Sequence, residues 1–233
     1  MFNIEVWRDP YAIGVTFTKA KNIELQEGLT VLVGCNGSGK TTLLMNIEDQ
    51  CKKEKINVYS YNNLHDGGHN ALSSYLLHGE MNMLADTAFR SEGEAISNNL
   101  GFQATKFRKF LVEGEEIDPF MKLMMDKRDI EDKEKELSNS NIRVMLFDAI
   151  DSGLSIDQVR EFKNLFRMII KDAESLGLEL YIIISCNEFE LARDEQCIDI
   201  SSGKHIGIHT YDDFEKVVLK TRKIKDKRVY KYE

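Results

Sequence analysis

The sequence predicts an α/β fold built on a mostly parallel sheet. Three segments, LTVLV (29–33), IRVMLF (142–147) and YIIIS (181–185), are almost continuously apolar, which is typical of strands that are buried on both faces. Helical patterns separate these strands along the chain, as in sheets that are covered by helices. With 233 residues and 42% hydrophobic composition, the chain can bury one sizeable core, and we expect a single domain over residues 1–233.

The N-terminal segment alternates apolar and polar residues in the manner of half-buried strands. The stretches FNIEVW, AIGVTFT and NIELQEG carry this pattern and lead into the first buried strand, LTVLV. The pattern predicts a small antiparallel β region that precedes the parallel sheet.

A phosphate-binding loop is the strongest motif in the chain. GCNGSGKTT (34–42) matches G-x-x-x-x-G-K-[ST] between a predicted strand and a predicted helix. Glycines let the backbone turn and point its N–H groups inward, and the helix N-terminus adds a positive dipole. We expect Lys40 to reach the β- and γ-phosphates of a nucleotide and Thr41 to offer its hydroxyl to Mg²⁺. The predicted phosphate contacts are Gly34, Asn36, Gly37, Ser38, Gly39, Lys40, Thr41 and Thr42.

The first half of the chain continues as a helix, a strand and an insertion. Residues 40–51 place apolar side chains on one helical face, and INVYSY (56–61) reads as the next strand. Residues 64–138 are predicted to form an inserted helical subdomain, with its clearest helix over 94–112. The charged stretch 126–140 predicts an exposed helix, because Asp129/Lys133 and Glu131/Lys135 are oppositely charged pairs at i,i+4.

The second buried strand ends at Asp148, a carboxylate placed to bind the metal from the side opposite Thr41. Ser155 and Gln158 form a capping-box pattern for the next helix, which we expect to end at Gly177. Its predicted inward face is Ile156, Val159, Phe162, Phe166, Ile169 and Ile170. The strand YIIIS then completes the alternation.

Composition argues against three properties: general nucleic-acid binding, paired disulfides and membrane-spanning helices. A formal charge of −8 argues against general affinity for nucleic acid, so a DNA contact would have to be local. The best candidate is the basic C-terminal stretch 220–231, for which a solvated, frayed helix is the simpler interpretation. The four cysteines show no paired spacing, and no window approaches eighteen apolar residues. We therefore expect a cytoplasmic protein without direct membrane insertion.

Three motifs in order along the chain resemble the ATP-binding cassette (ABC) superfamily. GCNGSGKTTLL is similar to its phosphate loop, in the version of soluble chromosome-maintenance and recombination-repair members. SEGEA (91–95) resembles the signature motif, with Ser91, Gly93 and Glu94 at the corresponding positions, and DAIDSGLS (148–155) occupies the place of the second acidic motif and the D-loop. The resemblance implies an ATPase that uses ATP and Mg²⁺.

The resemblance also implies a shared site. In the family, the residues corresponding to Ser91 and Gly93 contact the γ-phosphate held by another copy, which predicts a homodimer with ATP between its subunits. SEGEA also fits a simple helix cap in which Glu94 closes a capping box on Ser91. The two interpretations are compatible.

The chain departs from the family at three positions. Ala149 stands where a glutamate activates water, and a general base typically contributes about 10²–10⁴-fold, so we expect slow hydrolysis. Asp151 and Glu94 are the nearest substitutes in sequence, and a structural role for Asp151 is equally open. Cys186 or Asn187 stands in place of a γ-phosphate-sensing histidine. Asn62 or Asn63 stands in place of a metal-sensing glutamine, and Asn63 joins Thr41 and Asp148 in the predicted metal set.

Three functions are consistent with these features. The first is a dimerising ATPase with slow hydrolysis, in which Lys40, Asp148 and Asp151 are the candidate catalytic residues. The second is an ATP-gated binding module for DNA or a protein partner, and the third is the nucleotide-binding subunit of a transporter. Whether Ala149 is natural or an engineered trap stays open at this point, as do the residues that contact the adenine.

Overall fold

The computed structural model describes residues 2–6, 20–63, 104–114, 126 and 140–229. Its strands are β1 Phe2–Glu5, β2 Asn22–Leu25, β3 Gly28–Val33, β4 Asn57–Asn62, β5 Ile142–Asp148, β6 Glu179–Ser185, β7 Gln196–Asp199 and β8 Lys204–Ile206. Its helices are α1 Lys40–Lys53, α2 at residues 104–113, α3 Ile156–Ser175, α4 Phe189–Ala192 and α5 Tyr211–Val229.

The main sheet contains six of these strands in the order β4-β5-β6-β3-β7-β8. All neighbours pair in parallel except β8, which runs antiparallel to β7. The three apolar segments predicted as buried strands form β3, β5 and β6, and β6 lies between the other two. The structure confirms the predicted α/β class with a mostly parallel sheet.

A separate antiparallel pair stands at the N-terminus. β1 pairs with β2 in the register Phe2↔Leu25 and Ile4↔Ile23, and these four side chains are buried while their neighbours in the strands are exposed. Alternation of this kind buries one face of the pair. The expected antiparallel region is confirmed for these two strands, and AIGVTFT lies outside the described residues.

Apolar side chains cover the main sheet on both faces. On one face α1 and the β1–β2 pair surround Leu32, Val144 and Ile183. On the other face α2, α3, α4 and α5 surround a second cluster, where the ring centroids of Phe147 and Phe166 are 4.9 Å apart. Residues 107, 110 and 111 of α2 belong to this cluster, so the described part of the predicted 94–112 helix packs as expected.

The boundaries of α3 follow the predicted signals. The Gln158 side-chain oxygen accepts a hydrogen bond from the Ser155 N–H at 2.9 Å, and Gly177, just beyond the helix, has φ of 69°, a conformation that glycine adopts without a steric cost. One member of the predicted inward face is wrong, because Ile156 is 58% exposed. It lies in the first turn, outside the stripe that faces the sheet.

Most of the predicted helical subdomain, 64–138, lies outside the described residues, as does the charged stretch over 127–139. Its extent stays a prediction. Among the residues that the structure describes, none of the helices combines the length and apolar character that crossing a bilayer requires.

Candidate phosphate-binding site

The site lies where β3 and β6 end side by side. The helix that follows β3, α1, packs on one face of the sheet, and the helix that follows β6, α4, packs on the other face. Adjacent strands whose connections diverge in this way leave a crevice at their carboxyl ends, which is where open α/β sheets bind ligands. A cleft of about 440 Å³ opens there. Its lining is Asn36, Gly37, Gly39, Lys40, Thr41, Thr42, Asp148, Ala149, Ser152, Ser185 and Asn187.

The loop between β3 and α1 depends on its glycines. Gly37 has φ of 72° and Gly39 has φ of 100°, a region that residues with a Cβ rarely adopt. A Cβ on Gly34 would lie 2.4 Å from the Ile200 side chain, so only glycine fits against the end of β7. The hydroxyl oxygen of Ser38 is buried and, within the described residues, has no hydrogen-bond partner. Among the described residues, the loop therefore contains one buried hydroxyl that makes no hydrogen bond.

Lys40 is folded back onto this loop. Its Nζ donates to the Gly34 carbonyl at 2.8 Å and to Asn187 Oδ1 at 3.2 Å, and the residue is only 8% exposed. Burial lowers the pKa of the ammonium group, and the nearby Asp151 carboxylate opposes that shift. A buried cation with mainly neutral hydrogen-bond partners is well suited to an anionic ligand.

Asp148, at the end of β5, is oriented by three hydrogen-bond donors. The Thr41 hydroxyl donates to Oδ2 at 2.8 Å, the Asn62 amide approaches the same oxygen at 3.4 Å, and the Ser185 hydroxyl donates to Oδ1. A hydroxyl and a carboxylate so placed are oxygen ligands of the kind that Mg²⁺ takes at phosphate sites. The donor set therefore fits the predicted magnesium ion.

The amide next to this carboxylate belongs to Asn62, and not to the predicted Asn63. The Asn63 side chain is buried, donates to the Ser152 carbonyl at 2.8 Å and accepts from the Tyr61 hydroxyl at 3.2 Å. It therefore braces the turn after β5. The structure places Asn62, and not the predicted Asn63, beside Asp148, because Asn62 is the last residue of β4 and pairs with Asp148 in the sheet, whereas Asn63 lies beyond the strand and turns toward Ser152.

Asp151 is a bracing residue in this structure. Its Oδ2 accepts hydrogen bonds from the backbone N–H groups of Asn187 and Glu188, the latter at 2.7 Å. Burial raises its pKa, and these two hydrogen bonds oppose the shift. The side chain is 5% exposed and is not among the residues that line the cleft. Asp151 ties the turn after β5 to the loop after β6.

The residues that replace the expected glutamate and histidine are both at the cleft. Ala149 lines it with φ of 51°, and its N–H donates to Ser185 Oγ at 3.0 Å. Asn187 lines it and contacts Lys40, whereas Cys186 is fully buried and burial raises the pKa of its thiol. Of the two alternatives for the histidine position, the structure brings Asn187 into the site.

The sequence patterns did not predict roles for Ser185, Thr221 and Lys225. Ser185 bridges Asp148 and Ala149, and its signal was a lone hydroxyl at the end of an otherwise apolar strand. Thr221 and Lys225 contact the phosphate loop from α5. The predicted solvated C-terminal helix is helical over 220–229, with exposed side chains at 220, 222, 223 and 227, but it is anchored to the fold by Thr221, which is only 2% exposed. Ser91, Gly93 and Glu94 lie outside the described residues.

No protein-family model matches the chain, and no curated protein matches it. Among solved structures, it is similar at 14% identity to a nucleotide-free ATP-binding cassette from an ABC transporter, over 95% of both chains with a TM-score of 0.40. A second cassette of an ABC transporter, in its ADP conformation, is also 14% identical over 95% of this chain and 96% of that one, with a TM-score of 0.40. A putative cobalt transport ATP-binding protein is 16% identical over 76% of this chain and 66% of that one, with a TM-score of 0.29.

Proposed function

We propose that the chain binds ATP with Mg²⁺ and is an ABC-type ATPase with slow turnover. The observation that supports this best is the contact of Thr41 with Asp148, at 2.8 Å, in the crevice that also holds Lys40. These residues come from positions more than a hundred apart in the sequence. Their juxtaposition combines the phosphate-binding and the metal-binding parts of a nucleotide site.

Each residue has a role that follows from its position. The N–H groups of the loop and the ammonium of Lys40 bind phosphate oxygens. Thr41 and Asp148 hold the Mg²⁺, which when bound supplies positive charge against the phosphates. Asn62 and Ser185 fix the orientation of the Asp148 carboxylate.

Slow hydrolysis of ATP follows from the side chains that line the cleft beside the proposed position of the phosphates. The methyl group of Ala149 accepts no proton, and Ser152 and Asn187, which also line the cleft, can orient a water molecule without acting as strong bases.

The lack of a strong base at these positions also favours a second candidate function, an ATP-gated binding module for DNA or a protein partner in which hydrolysis is nearly silent. The two functions share the nucleotide site and differ in turnover.

The dimeric state belongs to the same proposal and depends on the resemblance of Ser91 and Gly93 to the signature motif. A second copy would cover the phosphates from outside the cleft with these residues. ATP can drive closure only through a higher affinity for the closed pair than for the open one, and a ligand shared between subunits meets that condition. We place this activity in the cytoplasm.

Nucleotide binding is tested most directly at Lys40. We expect Lys40→Met to weaken ATP binding by about 10- to 100-fold, since hydrogen bonds to charged groups contribute about 1.5–3 kcal/mol. Isothermal titration calorimetry with ATP and Mg²⁺ measures the affinity. The matched control is Lys53→Met on the same helix, where the side chain is 72% exposed and pairs with Asp49. A wild-type protein that binds no ATP, or a Lys40→Met variant that binds as the wild type does, would contradict the proposal.

A further inference from the structure

Helix α5 contacts the outer side of the phosphate loop with two residues of one face. Thr221 and Lys225 lie four positions apart, one helical turn, and bond to Cys35 and Asn36 in the loop. We propose that α5 is a clamp that holds the loop in its phosphate-binding conformation, so that nucleotide binding and docking of the C-terminal helix are coupled. The coupling rests on the proposed function, because its ligand is a nucleotide.

Thr221 provides the buried half of the clamp. Its hydroxyl donates to the Val218 carbonyl at 2.8 Å and accepts the Cys35 N–H at 2.8 Å. The first hydrogen bond fixes the hydroxyl proton, which leaves an oxygen lone pair for the second. A buried backbone N–H requires a partner, and here the partner comes from a residue 186 positions away. Undocking α5 would leave this group of the loop without its acceptor.

Lys225 provides the charged half. Its Nζ donates to the Asn36 carbonyl at 3.0 Å, and a Cβ added to Gly37 would lie 2.7 Å from that nitrogen. Because the peptide bond is planar and trans, the N–H of Gly37 points away from the Asn36 oxygen within the same unit. A cation on the oxygen polarises the peptide and makes the N–H a stronger donor, which favours an anion in the cleft that Gly37 lines.

A third contact sets the position of α5 along the sheet. Lys220 Nζ donates to Asp199 Oδ2 at 2.7 Å, and Asp199 is 2% exposed at the end of β7. The next residue, Ile200, donates its N–H to the Val33 carbonyl and packs against Gly34. The base of the loop and the side of α5 therefore share one anchoring point.

Thr221 and Lys225 are positioning residues, since neither lines the cleft. They act on phosphate binding through the backbone of the loop. Coupling of two equilibria is reciprocal, so a helix that favours the binding conformation of the loop is itself held more firmly when nucleotide is bound.

The experiment combines hydrogen exchange and nucleotide affinity in the full chain. The variants are Thr221→Val and Lys225→Met, with Lys223→Met as the control, because Lys223 is an exposed lysine on the same helix. In the free protein we expect the Cys35 amide to exchange at least about tenfold faster in Thr221→Val. We expect ADP affinity to fall about 3- to 30-fold in both clamp variants and to stay unchanged in the control. Thr221→Ser and Lys225→Arg should restore it.

A second measurement tests the coupling. Added ADP should slow amide exchange along α5 in the wild type, and less so in Lys225→Met. Unchanged Cys35 exchange in Thr221→Val, or ADP affinity that is the same in both clamp variants as in the wild type, overturns the clamp. A wild type that binds no nucleotide overturns the proposed function and the coupling with it, while the exchange rates in the free protein still decide whether α5 holds the loop.

Discussion

At the scale of single residues, the proposed slow hydrolysis of ATP depends on the position that follows Asp148. Ala149 lines the cleft, and its φ of 51° lies in the left-handed region, where alanine and unbranched side chains such as glutamate meet a similar steric cost at the Cβ. A glutamate in its place would meet no greater backbone strain than alanine does. It would add a second carboxylate to the cleft, where Asp148 is the one acid among the described lining residues.

We therefore expect Ala149→Glu to raise the rate of ATP hydrolysis by about 10²–10⁴-fold, the usual contribution of a general base. Steady-state phosphate release with ATP and Mg²⁺ measures the gain. Ala149→Gln is the matched control, since it has the same size and no basic carboxylate, and it should remain slow. Brisk hydrolysis by the wild type with no gain from the glutamate would show that another group already activates water.

Titration of Asp151 is expected to lower the stability of the folded protein as pH rises. Burial raises its pKa above 3.8 in the folded protein, so the folded chain holds this proton more tightly than the unfolded chain does. Its contribution to stability is complete below pH 3.8 and is lost as pH rises through the folded pKa. Asp151→Asn cannot titrate, and we expect the free energy of unfolding of the wild type to fall relative to this variant across that interval.

Urea unfolding at a series of acidic pH values measures this difference, and a difference that stays constant with pH would contradict the assignment. Asp151→Ala is a useful companion variant. It leaves the N–H groups of Asn187 and Glu188 without their acceptor, so we expect a loss of about 1–3 kcal/mol, largest below pH 3.8, where the contribution of Asp151 is complete.

At the scale of elements, local signals were sufficient for the centre of the fold. β3, β5 and β6 are continuous apolar runs, and α1 and α3 have helical periodicity with a glycine loop or a capping residue at the start. These signals are contained in ten to twenty neighbouring residues, so one sequence reveals them. The phosphate loop and Asp148 belong to the same category, because each follows directly from the strand before it.

The edge of the sheet and the docking of α5 were not predictable in this way. β7 and α4 have four residues each, which is too short for a periodic pattern. The orientation of α5 depends on Thr221, Lys220 and Lys225, whose partners lie across the fold. The sequence of α5 alone does not reveal whether such a basic helix docks on the fold or extends into solvent. Only the tertiary contacts distinguish the two cases.

The choice of Asn62 over Asn63 shows the same limit at the site. Asn62 is the last residue of β4 and Asn63 follows it, and a shift of one residue in the strand boundary changes which of the two amides faces the site. The pairing Asn62↔Asp148 in the sheet places the first of them next to the carboxylate. The sequence predicted that an asparagine would lie next to Asp148. Which of the two asparagines it is depends on the register of β4 against β5.

At the scale of the whole molecule, the proposed function depends on whether one site is built from two chains. The described residues supply the predicted phosphate loop, the proposed metal ligands and a cleft of about 440 Å³, whereas Ser91 and Gly93 are assigned to the site of a second copy by their resemblance to the signature motif. A shared site makes a prediction that a self-contained site does not make. Two variants that are defective at different halves should complement each other.

We expect Lys40→Met and Gly93→Asp to fail separately and to recover together. The first variant lacks the phosphate-binding lysine, and the second places a negative charge where the γ-phosphate of the partner would lie. In a mixed dimer, the intact loop of the Gly93→Asp chain faces the intact signature of the Lys40→Met chain, so one of the two sites is whole.

Light scattering with ATP and Mg²⁺ should show the doubled mass for the wild type and, more weakly, for the mixture. Replacing Lys40→Met by a double variant that carries both changes removes the whole site, and that mixture should stay monomeric. A mixture of the single variants that also stays monomeric, with a wild type that dimerises, would mean that each chain completes its own site.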